Sequence, residues 1–212
     1  MKLMKNLLKI VTKCIDEFSM NRNIARRAAI IGGEGIILHG IPRTTLDVDI
    51  IFFCGDEKNN IKSLCKVFAE YLEQKLEEQF KIESYEASKD PSDPLRHDLI
   101  IITDSRNQFK KIDILIANYK WELEGLLDMD ASDAGPLKPF PKPYLVGMKL
   151  MAGGLQDEED IRSLFFIMTD SEKEKARELA RLVRRDKKLA RIISEGRRPR
   201  KDDQKDASIE KI

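Results

Sequence analysis

Residues 47–53 read Asp-Val-Asp-Ile-Ile-Phe-Phe, a β-branched and aromatic run that demands a strand yet carries two acids. On a strand, positions two apart leave the same face. Asp47 and Asp49 therefore stand side by side, their Cβ atoms roughly 6–7 Å apart. Isolated carboxylates are expensive to bury, and like charges at that range raise each other's pKa or require a cation. A hard divalent ion, Mg²⁺ or Mn²⁺, meets the need with oxygen ligands. The plainer reading is a strand end whose acids face solvent.

A third carboxylate, Asp113, lies in "KKIDILIA", another apolar strand. If that strand pairs beside 47–53, Asp113 completes a three-carboxylate cluster. Such a cluster can hold two metal ions, activate a hydroxyl and stabilise a leaving pyrophosphate. Otherwise Asp113 is an edge-strand acid paired with Lys110 or Lys111. Upstream, Gly32 and Gly33 end a strand and open a short helix. Lacking side chains, they let a triphosphate approach the backbone N–H groups; alternatively they make only a tight turn. Arg43 and Thr45 precede the aspartates and can donate to phosphate oxygens.

Hydrophobic periodicity predicts helices over 2–19, from Gly33 to about 39, and over 59–80, where Ile61, Leu64, Cys65, Phe68, Leu72, Leu76 and Phe80 line one face. Further strands are expected at 28–31, 81–87, 97–103 and 110–117. "AGPLKPFPKP", with four prolines in ten residues, should break regular structure. Helices near 143–153, 157–169 and 172–194 follow. The reading is an α+β fold: a nucleotide-handling core over 1–133, a proline linker over 134–143, a helical part over 144–194, and a charged tail over 195–212 expected to be disordered.

A chain of 212 residues with 42% hydrophobic content can build such a core. Its net charge of +1 decides nothing about nucleic acid. Residues 173–201 carry thirteen Lys or Arg against four acids, which suits either a solvated helix face or a surface that tracks RNA phosphates. No aromatic residue interleaves them, so base stacking is not expected. Cys14, Cys54 and Cys65 form no C-x-x-C pair, and no apolar run of about 18 residues occurs. The expectation is a reduced, cytoplasmic chain without signal peptide or membrane contact. His39 and His97 lack metal-ligand spacing and read as structural or surface residues, and Trp121 and Phe140 as packing.

"GGEGIILHGIPRTTLDVDI" resembles the signature of the DNA polymerase β-like nucleotidyltransferase superfamily, and within it the AbiEii toxin-type group. "YLVGMKLMAGGLQDEEDIRSL" resembles that group's helical segment. The resemblance implies Gly32 and Gly33 as the phosphate loop, and Asp47, Asp49 and Asp113 as catalytic metal ligands. It implies Lys149 as a triphosphate-contacting cation, Asp160 as a helical acid that orients the site, and Asp157 as a further acidic position. From residue type alone, Lys149 could equally snorkel and Asp160 serve a helix dipole. The activity implied is Mg²⁺- or Mn²⁺-dependent transfer of a nucleoside monophosphate from an NTP to a hydroxyl of tRNA or a protein, in a toxin–antitoxin setting with a cognate antitoxin. Glu34 departs from the pattern: a carboxylate sits where Ser or Thr usually touches phosphate. It points to the alternative, a catalytically inactive NTP- or RNA-binding module. Gly35 replaces a usual Ala, and "GGLQD" lacks an arginine often found there.

Overall fold

The apolar runs form five strands in a computed structural model, which describes residues 4–23, 26–53, 65–87, 96–129 and 135–195. They are β1 (Arg27–Ile31), β2 (Asp47–Phe53), β3 (Phe80–Tyr85), β4 (Leu99–Asp104) and β5 (Lys111–Ile116). They make one mixed sheet in the order β1-β2-β5-β4-β3. β2 and β5 run parallel, and the other neighbours are antiparallel. The helices are α1 (Met4–Asn21), α2 (Gly32–Leu38), α3 (Cys65–Lys75), α4 (Lys120–Leu127), α5 (Lys142–Ala152), α6 (Leu155–Ile167), α7 (Asp170–Leu182) and α8 (Asp186–Glu195). The fold class is α+β. The chain divides into two compact units, Met1–Leu145 and Val146–Ile212.

In the first unit, one sheet face meets α1 and α3. Val48, Ile50 and Phe52 of β2 and Ile112, Ile114 and Ile116 of β5 join Val11, Ile15, Phe18, Phe68 and Leu72 in one core cluster. The Phe68 ring lies 4.8 Å from that of Phe18 and 5.0 Å from that of Phe52. Each fully buried apolar side chain contributes about 1.5–3 kcal/mol. Because strand side chains alternate, burying these even-numbered positions turns Asp47, Asp49 and Asp113 to the other face. The Cys14 thiol, in the same core, is pushed up to about 11 by burial and by Glu17, which keeps it protonated.

In the first unit three expectations change. The third predicted helix stops at Lys75, and Phe80 opens β3 instead, opposite Asp104 and with its ring 5.6 Å from that of Phe109. Phe80 suits both the helical and the strand period, and the sheet pairing wins. Ile61 and Leu64 lie outside the described residues, as do Cys54 and the tail beyond Glu195. The proline stretch also holds a ladder contact. Ile30 N–H donates to the Lys138 carbonyl at 2.9 Å, and Phe140 N–H donates to the Ile30 carbonyl at 2.8 Å. Pro139, between them, needs no donor at this sheet edge. Finally, α4 is an unexpected helix. Glu122 Oε2 caps it by accepting the N–H groups of Asn118 and Tyr119 at 3.0 and 3.1 Å. Glu122 Oε1 lies 2.6 Å from Nε2 of buried His97. His39 is likewise structural, with Nε2 2.8 Å from the Phe140 carbonyl.

The β4–β5 turn is built on Asp104. Its carboxylate accepts the N–H groups of Arg106, Gln108 and Phe109 at 2.9, 2.6 and 3.1 Å. Burial works against the charged form, but these N–H bonds outweigh it and hold the Asp104 carboxyl below its ordinary 3.8. A lowered folded value stabilises the fold above the unfolded value, and that contribution is lost as pH falls through the folded one. Asp104→Asn is therefore expected to lower the melting temperature at neutral pH. It should also flatten the decline of stability below about pH 4, read by urea titration at several pH values.

In the second unit, the helix predicted over 172–194 breaks into α7 and α8. Arg184 sits at φ +57°. Arg184 N–H donates to the Arg181 carbonyl at 3.0 Å, and Arg185 N–H to the Ala180 carbonyl at 2.7 Å. This is a Schellman turn with arginine where glycine is usual, so no sequence signal marks it. Arg184→Gly should raise stability by about 0.5–1 kcal/mol in chemical denaturation, because only glycine adopts this conformation without strain. Glu158 joins α6 to α8, accepting from Arg191 at 2.7 Å and pairing with Lys188 at 3.4 Å. Among the described residues no helix is long and apolar enough to cross a membrane.

Candidate active site

The β2–β5 pairing places Asp49 directly opposite Asp113 and Asp47 opposite Lys111. One carboxylate oxygen from each of Asp47, Asp49 and Asp113 lies within 4.8 Å of the others, and all three residues are half-buried. β5 is an interior strand, so Asp113 is not an edge acid. It is nonetheless paired: Lys111 Nζ donates to its Oδ2 at 2.6 Å. Its Oδ1 is buried and has no hydrogen-bond partner. The hydrogen bond to Asp113 leads the causes that hold the Lys111 ammonium above its ordinary pKa; Asp47 and Asp49 add to it.

The glycine pair shapes the site in a way the sequence reading did not anticipate. Gly32 has φ +59°, and a Cβ there would stand 1.8 Å from Asp49 Oδ2. A Cβ on Gly33 would meet the Thr45 side chain at 2.8 Å and Arg43 Cζ at 3.1 Å. The glycines thus make room for the chain's own Asp49, Thr45 and Arg43. Thr45 in turn donates its hydroxyl to Asp47 Oδ1 at 2.8 Å. The loop into β2 and the turn out of β1 therefore fix the aspartates together. Glu34 Oε2 lies 3.6 Å from Lys110 Nζ, so the acid beside the glycines has its own counter-charge.

Lys149 and Asp160 lie in the second unit, where they pair with each other. Lys149 Nζ stands 2.8 Å from Asp157 Oδ1 and 2.9 Å from Asp160 Oδ2. Lys149 is 8% exposed and Asp160 3%. Asp157 also accepts the Gly154 N–H at 2.9 Å, capping α6. The lysine does not simply snorkel: its charge is met by two carboxylates. Lys110 and Lys111, which tie down Glu34 and Asp113, were read from the sequence only as alternatives for Asp113. Their placement depends on strand register.

The acidic group fits a divalent ion. Cis oxygens on one octahedral Mg²⁺ lie about 3 Å apart, so inward rotation of the carboxylates, already within 4.8 Å of one another, would let them share an ion. All donors are hard oxygens, and Asp113 Oδ1 is a buried acceptor without a donor.

No protein-family model matches the sequence, and no curated protein does. Solved structures do. The chain is similar to an antigenic nucleotidyltransferase-like protein from Paracoccidioides brasiliensis, with 17% identity over 90% of this chain and 92% of that one, at a TM-score of 0.43. It is also similar to the antibiotic-resistance factor ANT(2'')-Ia in two structures. The solution structure shows 12% identity over 92% of both chains, at a TM-score of 0.38. The complex with adenylyl-2''-tobramycin shows 13% identity over 93% of this chain and 98% of that one, at 0.39. These likenesses are distant, and the functional reading rests on the residues themselves.

Proposed function

We propose that the chain is a nucleotidyltransferase of the DNA polymerase β-like kind. It moves a nucleoside monophosphate from an NTP to a hydroxyl acceptor and releases pyrophosphate. The observation that carries this reading is the convergence of Asp47, Asp49 and Asp113 on one sheet face beside Gly32. Asp47, Asp49 and Asp113 would hold Mg²⁺ or Mn²⁺. Bound there, the metal supplies Lewis-acid charge that neutralises the phosphates and the leaving pyrophosphate.

The chain's own groups account for the rest. Asp113, as a ligand beside the reacting hydroxyl, would help activate it for attack. Thr45 holds Asp47 in place. Arg43, packed against Gly33, supplies a guanidinium for phosphate oxygens. Lys149 and Asp160, which the resemblance also names, pair with each other within the second unit. The same resemblance suggests tRNA or a protein as acceptor and an antitoxin as partner.

The competing reading, an inactive NTP- or RNA-binding module, rested on Glu34. Lys110 beside it offsets part of that carboxylate's charge, which favours the enzyme reading. Incubation with each labelled NTP, Mg²⁺ and total tRNA or whole-cell protein separates the two. Label on an acceptor, absent with Asp49→Asn, supports the enzyme. Nucleotide binding without transfer to either acceptor pool supports the module.

A further inference from the structure

The acidic cluster already contains a cation. Lys111 and Asp113 are two apart on β5 and so share a face with Asp47 and Asp49 of β2. The register sets Lys111 opposite Asp47 and Asp113 opposite Asp49, making a two-by-two block of charged side chains. The ammonium lies 2.6 Å from Asp113 Oδ2, with the lysine side chain 39% exposed and that of the aspartate 14%. Lys111 thus reaches the cluster from the solvent side and covers one oxygen of the third carboxylate, leaving Oδ1 inward and unpartnered.

The balance of charge has a consequence. Three carboxylates carry −3, and Lys111 brings the block to −2. One divalent ion neutralises it. A second would leave it at +2, an unfavourable sum in a half-buried site unless a polyanion arrives with it. Resting on the metal-site reading above, we propose that Lys111 is a built-in counter-cation that limits the nucleotide-free protein to one divalent ion. Lys111 is here a positioning residue: it acts through Asp113 and sets how many cations the cluster accepts.

The test is Mn²⁺ binding to the full chain without nucleotide, followed by calorimetry and by the paramagnetic signal of free Mn²⁺. Wild type should take up one ion. Lys111→Met keeps a similar length without the charge. It should bind the first ion at least about tenfold more tightly and take up a second. Lys111→Arg, which restores the charge, should return to one ion. Unfolding monitored in the same buffers shows that each variant is folded; should the methionine variant not fold, Lys111→Gln replaces it. Two ions on wild type, or a Lys111→Met affinity and stoichiometry equal to wild type, would overturn the proposal while leaving the metal site standing. A wild-type protein that takes up no Mn²⁺ would overturn both.

Discussion

Asp49→Asn should yield a folded protein that transfers no nucleotide. The side chain keeps its shape, so its seat over Gly32 and its place opposite Asp113 survive. What disappears is one anionic oxygen from a set of three. Loss of a metal-ligating carboxylate removes several kcal/mol of charge stabilisation from the transition state, so transfer should fall by about 10³-fold or more. Two accompanying signs separate this from simple damage. In metal-free buffer the variant should melt a few degrees higher than wild type, because one of three neighbouring like charges is gone. Added Mn²⁺ should raise the wild-type melting temperature but leave that of the variant nearly unchanged. Transfer by Asp49→Asn at the wild-type rate would end the proposed chemistry.

Gly32→Ala should damage both the fold and the site. The new Cβ would fall 1.8 Å from Asp49 Oδ2 and 2.6 Å from its Cγ, on a backbone at φ +59°. Left-handed strain and overpacking together should cost about 2–4 kcal/mol in urea unfolding. Asp49 must also swing out of the triad, so transfer and Mn²⁺ binding should fail with it. Gly40→Ala is the control. Gly40 also has positive φ, at +85°, but a Cβ there meets nothing within 4 Å. It should cost about 1 kcal/mol and leave transfer intact. Equal effects from the two substitutions would show that strain alone, rather than the crowding of Asp49, matters at Gly32.

The strands and the face each acid takes could be read in advance because both follow from a period of two, while the meeting of Asp113 with Asp47 and Asp49 hung on the β2–β5 pairing. Acids at 47, 49 and 113 among buried even-numbered neighbours leave one choice of face. Other features have no local signature. The break at Arg184 uses a residue that ordinarily continues a helix. Phe80 satisfies two periodicities, and only its partner across the sheet decides between them. The helix 120–127 is short, and its capping acid, Glu122, also answers to His97 far back in the chain. The counter-charges at Lys110 and Lys111 depend on register, which no single segment encodes. The purpose of Gly32 and Gly33 was visible only in part. Their lack of side chains first accommodates Asp49, Thr45 and Arg43, which a scan for phosphate loops does not reveal.

β2 and β5 are neighbours in space, but α3, β3 and β4 all come between them along the chain. Synthesis delivers the first pair of acids long before the third. A partly made protein that has emerged through β4 holds two of the three carboxylates and nothing to complete them. Closure of that long loop is the costly step of assembly, and the centre comes into being only when it is taken. A chain that ends before β5 therefore lacks the third carboxylate.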